Sequence, residues 1–170
     1  MRRVLSVLLA VGLVSVTANC GKKAEERAAE KAIEKAIEKQ SGGKAKVDLS
    51  KGQVTIRDKE GQATFTEKGG AQLPEGFPAD VPVYKGAAIV MSSKQQKSFT
   101  LMLTAGDDRK KVAETYKSAM KSQGWEEETT VDVGEALSLQ YKKDKRTVGI
   151  NISQADDKTQ IVLIVNAEEQ

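Results

Sequence analysis

Two facts limit which residues of this chain could act in catalysis or bind a metal. The chain has no histidine, and it has one cysteine, Cys20. Histidine is the commonest general base and the commonest metal ligand in proteins. Without it, neither a Ser-His-Asp or Cys-His catalytic site nor a zinc site of the usual Cys and His kind can be built. We therefore predict no catalytic, metal-binding or cofactor-binding residues, and a protein that is not an enzyme.

Acidic residues leave one catalytic alternative open. Aspartate pairs at 107–108 and 156–157 could act as carboxylate dyads, but both lie where helix capping or a turn accounts for aspartate. The three glutamates at 126–128 are more typical of an exposed strand. A carboxylate-dependent enzyme of the cell envelope would require such acids to converge in one cleft.

A basic cluster occurs at Lys142, Lys143, Lys145 and Arg146. It could contact an anionic lipid or polysaccharide, since each charge near such a surface contributes about 1 kcal/mol. Asp144 interrupts the cluster where a hairpin must turn, so we favour a solvated turn.

Three aromatic residues, Tyr84, Tyr116 and Trp125, could line a ligand pocket. Aromatic residues make up 4% of the chain. A domain with so few usually buries them in its core, which is the simpler expectation here.

The charge balance gives no case for nucleic acid as a partner. The chain carries a net charge of +3, but Arg2 and Arg3 belong to a segment that we expect to be removed. The remaining chain is close to neutral, with both signs interspersed, which argues against a basic binding surface.

The first 19 residues have the pattern of a signal peptide. Arg2 and Arg3 precede an apolar run over 4–16, and small residues follow. The uncharged stretch 4–18 is shorter than the roughly 20 residues that a transmembrane helix needs. We therefore predict export followed by cleavage.

The residues around the cysteine carry a resemblance to a known class, in the order Val16, Thr17, Ala18, Asn19, Cys20, Gly21. This segment resembles the lipobox of bacterial lipoproteins, although Thr17 and Asn19 depart from its commonest residues. The resemblance implies cleavage before Cys20 and acylation of that residue. Each buried methylene contributes about 0.8 kcal/mol, so two or three chains give a lasting membrane anchor. The resemblance also implies that Gly21, in place of an aspartate, favours the outer membrane, facing the periplasm.

An alternative remains open for the same leader. Cleavage after Ala18 would release a soluble exported binding protein or inhibitor with Cys20 as an incidental thiol. For the anchored form we expect a partner in the envelope, either a protein or a glycan, and no enzymatic role.

The elements that follow the cysteine begin with a polar helix. Residues 22–40 are rich in alanine, glutamate and lysine, and a four-residue unit recurs in them. We interpret 20–43 as the lipid anchor and a helical stalk. Period-two alternation over 44–71 then predicts a small three-stranded meander with a turn at Lys51 and Gly52. All three prolines fall within 72–82, which predicts a stiff, extended connector.

Residues 83–170 have the pattern of an α+β domain. Six strands are predicted, at 88–92, 98–104, 131–133, 137–141, 148–152 and 161–165. The last is apolar on both sides, which suits an interior strand covered by a helix on one face. Between the second and third strand, Asp107 can cap a helix whose apolar face includes Tyr116 and Met120, and Gly124 can end it. We predict an antiparallel sheet with one packed helix over 83–166. The arrangement is similar to small domains of bacterial lipoproteins, and this resemblance assigns no site residue.

Overall fold

The computed structural model describes residues 22–40, 46–49, 53–66 and 69–167. The predicted signal peptide, Cys20 and the predicted turn at Lys51 and Gly52 lie outside these residues. The elements are α1 (Lys22–Gln40), β1 (Lys46–Asp48), β2 (Gln53–Arg57), β3 (Gly61–Thr66), β4 (Ala88–Gln95), β5 (Ser98–Ala105), α2 (Arg109–Ser122), β6 (Glu126–Val133), β7 (Ala136–Lys143), β8 (Arg146–Ala155) and β9 (Lys158–Ala167).

The described strands form one sheet of nine, in the order β1-β2-β3-β4-β5-β9-β8-β7-β6. Every pairing is antiparallel. The expected α+β class is confirmed, and the fold is dominated by this sheet. The apolar run of β9 lies in the interior as predicted, between β5 and β8.

The meander is continuous with the rest of the sheet. Strand β3 pairs with β4 over five residues, from Gly61 opposite Gln95 to Phe65 opposite Met91. Such a three-stranded unit would be marginal alone, because its apolar face is thin. Pairing with β4 gives β3 a second neighbour and makes one sheet of both parts.

The two faces of the sheet differ. Alternate residues of β5, β7, β8 and β9 point to one side, where they are fully buried together with the inner side of α2. We call this side the covered face. The other side, which we call the open face, carries residues such as Met102, Val162 and Ile164 that remain partly exposed. The hydrophobic core therefore lies between one face of the sheet and α2.

Helix α2 begins after a capping aspartate and ends before a glycine with positive φ. Asp108, and not the predicted Asp107, is the N-cap, since its side chain accepts the Lys111 amide at 3.0 Å. At the other end Gly124 has φ of 76°, and the Trp125 amide donates to Met120 O at 3.0 Å. This closure is the one predicted from the sequence.

The proline-rich segment before β4 is more than a spacer. Val81 and Tyr84 are buried in the main core, and the Phe77 ring meets Phe99 edge to face at 5.7 Å. Because Phe99 lies on the covered face, this segment packs beside α2 and covers part of the sheet. The predicted extended path of this segment is wrong, because the Phe77 amide donates to Pro74 O at 3.1 Å and the Val81 amide to Pro78 O at 3.2 Å, which closes two turns. Its stiffness stays a prediction, and the sequence pattern did not predict its packing.

Candidate functional site

A row of apolar side chains crosses the open face. The register places Val54 opposite Phe65, and Phe65 opposite Met91. Met91 is in turn opposite Met102, and Met102 is opposite Val162. Directly paired residues of antiparallel strands point to the same side of a sheet. Five strands, β2, β3, β4, β5 and β9, therefore each contribute one apolar side chain to a continuous row.

This row lies along an open groove of about 500 Å³, within the usual size range of small-molecule sites. The described residues of its lining carry no charge and are Leu49, Gln53, Val54, Phe65, Thr66, Val90, Met91 and Met102, which together we call the sheet groove. Val54 is 38% exposed and Phe65 is 40% exposed. Adjacent apolar side chains that remain exposed to solvent are typical of a ligand-binding or protein-binding surface.

Local features of the strands shape the sheet groove. The register of β4 against β5 shifts between Ile89 and Met91, and such a bulge bends a strand and increases its twist. Gly61 permits the close approach of β3 to β4, since a Cβ there would lie 1.9 Å from the Lys94 carbonyl oxygen. At the outer end, the Leu49 amide donates to Glu34 Oε1 at 2.7 Å and joins α1 to the end of β1.

A second cavity, of about 400 Å³, lies between the segment preceding β4 and helix α2. Tyr84 Oη donates to Asp107 Oδ2 at 2.8 Å, and Lys111 Nζ donates to Asp107 Oδ1 at 2.6 Å. Its lining, which we call the tyrosine pocket, is Pro82, Val83, Tyr84, Lys85, Asp107, Lys111, Thr115, Tyr116 and Ala119. Tyr84, Tyr116 and Trp125 are all buried in the core, as the sequence predicted, and Tyr84 and Tyr116 also line this cavity.

The polar groups of the tyrosine pocket have shifted pKa values. The Lys111 ammonium, and then the Tyr84 hydroxyl, lower the pKa of Asp107. Burial, and then the Asp107 carboxylate, raise the pKa of Tyr84. Burial raises the pKa of Tyr116 to about 12. At neutral pH Asp107 is therefore a carboxylate, Lys111 an ammonium, and Tyr84 and Tyr116 neutral phenols.

Of the aspartates predicted as possible dyads, Asp107 binds Tyr84 and Lys111 in the tyrosine pocket, and the others have local roles. Asp108 caps α2, as described above. The pair 156–157 forms the tight turn between β8 and β9, where Asp156 has φ of 53°. The glutamates 126–128 are exposed on β6, as the sequence predicted. Among the residues that the structure describes, no group of three acidic, histidine or cysteine side chains could hold a metal ion.

Half of the basic cluster does not form a solvated turn. Arg146 Nη1 and Nη2 donate to the two carboxylate oxygens of Asp80, at 2.8 and 2.7 Å. Lys143 Nζ donates to Asp80 Oδ2 at 2.9 Å, and the Trp125 indole donates to Asp80 O at 2.8 Å. We call these four residues the Asp80 cluster. Lys142 and Lys145 are exposed, in agreement with the predicted turn.

The Asp80 cluster joins three distant parts of the chain. The Arg146 guanidinium lies 5.0 Å, and the Lys143 ammonium 5.9 Å, from the centre of the Trp125 ring. The hydrogen bond from Arg146, which outweighs desolvation by burial, and then that from Lys143 hold the pKa of Asp80 well below its ordinary value. Because its members contact one another, this arrangement fixes the segment before β4 to the β7–β8 hairpin.

Sequence reasoning missed both Asp80 and the sheet groove. Asp80 lies between two prolines, and nothing in that context points to a partner more than sixty residues away. Strand alternation places Val54 and Phe65 on one side of each strand. It does not reveal which side is left open, because that depends on where α2 packs.

The lipidation site predicted at Cys20 lies outside the described residues, so its modification stays a prediction. None of the helices in the described part of the chain is long and apolar enough to cross a membrane.

Comparison with known proteins gives one weak likeness. A family model described as START domain-like matches residues 86–160, which is less than half of the chain. The matched region includes β4, β5, α2 and the strands up to the start of β9. No curated protein and no solved structure matches significantly.

Proposed function

We propose that this protein is a non-enzymatic bacterial lipoprotein that binds the acyl chain of a lipid in the sheet groove. The observation that carries the proposal is the groove itself, a site of about 500 Å³ whose described lining residues are all uncharged. An uncharged lining suits a long apolar ligand, because no ion has to be desolvated when the ligand enters.

Two further observations support binding rather than catalysis. The chain has no histidine, which removes the commonest general base. The START domain-like match over 86–160 favours a ligand-binding role and suggests no reaction.

The membrane anchor is the second part of the proposal. In it, Cys20 carries the lipid, α1 acts as a stalk, and Gly21 directs the protein to the periplasmic face of the outer membrane. Because only 25 residues separate Cys20 from β1, the groove would stay close to a membrane that supplies lipid.

The anchor is tested by intact mass and by fractionation of a Cys20→Ser variant. We expect the native protein to begin at residue 20 with fatty acyl mass, and the variant to leave the membrane fraction. A native mass without acyl groups, or a variant that stays with the membrane, would contradict the anchor. A native chain beginning at residue 19 would instead favour the soluble exported alternative.

The groove is tested with N-phenyl-1-naphthylamine, a neutral dye that fluoresces in apolar surroundings. The variant Val54→Thr/Phe65→Thr places threonine, a residue of high strand propensity, at both positions while making the groove more polar. We expect it to bind the dye about tenfold more weakly, since tenfold corresponds to about 1.4 kcal/mol, less than the burial of one apolar side chain contributes.

The matched control is Val131→Thr/Val133→Thr on β6. These valines are 47% and 70% exposed, and neither lines the sheet groove. We expect this control to bind the dye with the same affinity as the native chain. We also expect a fatty acid to displace the dye from the native chain and from the control. Equal weakening by both double variants, or no displacement by a fatty acid, would reject the groove as a lipid site.

A further inference from the structure

The tyrosine pocket has a polar end in which each oxygen of the carboxylate already accepts a hydrogen bond. Both oxygens of Asp107 accept a hydrogen bond, one from Tyr84 and one from Lys111. A third bond, from Thr159 Oγ1 to Asp107 O at 2.6 Å, fixes the backbone at this position. Because its side chain and backbone are both held, Asp107 is a rigid part of the wall and not a free acid.

Donor groups are in excess at the mouth of the pocket. The lining contains two ammonium groups, Lys85 and Lys111, against the single carboxylate of Asp107. The Lys111 side chain is 63% exposed, and an ammonium has three N–H donors, one of which binds Asp107. The mouth therefore offers unused N–H groups and a net positive charge, which suit an anionic ligand group.

The rest of the pocket is apolar and partly aromatic. The rings of Tyr84 and Tyr116 lie with centroids 6.1 Å apart and planes tilted by 37°. The other apolar lining residues are Pro82, Val83 and Ala119. The Tyr116 hydroxyl lies by the Tyr84 backbone without meeting hydrogen-bond geometry. Tyr84 is 7% and Tyr116 1% exposed, so the half-buried Pro82, Val83 and Ala119 supply most of the apolar surface open to a ligand, which suits a compact apolar group.

The geometry points to the tyrosine pocket as a second binding site, for a small carboxylate that carries a compact apolar group. The ammonium groups of Lys85 and Lys111 receive the carboxylate, and the accessible side chains of Pro82, Val83 and Ala119 contact the apolar group beside the buried tyrosine rings. The site is independent of the sheet groove, since the two linings share no residue.

Benzoate and benzamide are the probes for this site, because they share a ring and differ in charge. The full chain with Cys20→Ser, labelled with ¹⁵N, would be titrated with each and followed by amide chemical shifts. We expect benzoate to shift the amides of Lys85, Lys111 and Thr115, and benzamide to bind about fivefold more weakly. Equal affinities, or shifts spread over the whole surface, would overturn the proposal.

Two substitutions test the two ends of the pocket. Lys85→Met removes an ammonium that has the freedom to meet a ligand, and we expect benzoate to bind about fivefold more weakly with benzamide unchanged. Ala119→Leu adds volume inside the pocket and should weaken both probes. Lys110→Met is the matched control, because Lys110 is exposed on α2 and lies outside the lining. Equal effects of Lys85→Met and Lys110→Met would show only a general charge effect and reject the site.

Discussion

Removal of the Asp80 carboxylate is expected to destabilise the native state by about 2–3 kcal/mol. Asp80 receives three charge-assisted hydrogen bonds, two from Arg146 and one from Lys143. Breaking a buried ion pair costs about 3–5 kcal/mol, whereas an exposed pair contributes about 0–1 kcal/mol. The Asp80 side chain is 25% exposed, and its partners are 28% and 27% exposed. The expected value for Asp80→Asn therefore falls between these limits.

The assay is equilibrium unfolding in urea. Trp125 is the only tryptophan of the chain and belongs to the Asp80 cluster, so its fluorescence reports the transition, with circular dichroism as a second probe. Asp144→Asn is the control, because Asp144 is exposed in the adjacent turn and asparagine tolerates its φ of 55°. We expect this control to change stability by less than about 0.5 kcal/mol.

The pH dependence gives a second, independent measurement. The folded-state pKa of Asp80 lies below its ordinary value of 3.8, so the carboxylate stabilises the native state at pH values above about 4. This contribution is lost as the pH falls from 4 through the folded-state pKa. The stability difference between the native chain and Asp80→Asn should therefore be largest near neutral pH and shrink in acid. A loss below about 0.5 kcal/mol at pH 7, or a difference that does not change in acid, would refute the reasoning.

Four further predictions concern the fold. Gly61→Ala should separate β3 from β4, because its Cβ would meet the Lys94 carbonyl oxygen at 1.9 Å, and amide exchange should then show lost protection in β2 and β3 with β5 and β9 unchanged. In Gly124→Ala the added Cβ has open space, but alanine is disfavoured at a φ of 76°. Urea unfolding should therefore show a free energy of unfolding lower by about 1 kcal/mol. Met120→Ala removes a fully buried side chain and should cost about 2–5 kcal/mol in the same assay. Deletion of Lys22–Gln40 should leave a cooperative thermal transition, and loss of that transition would contradict the stalk assignment.

The sequence determined the elements and their local chemistry. Alternating apolar residues predicted the strands of the α+β domain, because side chains of a strand point to opposite sides in turn. The closure of α2 at Gly124 was predictable, since a left-handed residue there needs glycine. The predicted N-cap of α2, Asp107, was wrong by one residue. Both aspartates are suited to capping, and the structure uses Asp108. Asp107 instead binds Lys111 and Tyr84, and the second of these contacts spans 23 residues.

Only the tertiary structure decided where surfaces were left open and which distant charges met. The sheet groove arises because α2 and the proline-rich segment pack on the covered face, so the row from Val54 to Val162 lies on the other face. The alternation of apolar residues along a strand is the same whichever face of the sheet is covered. It therefore does not predict which face stays exposed. Asp80 and Arg146 are likewise 66 residues apart, and their bond depends on the path of the whole chain between them. Periodicity encodes interactions over a few residues, whereas binding surfaces are set by packing between elements that are remote in sequence.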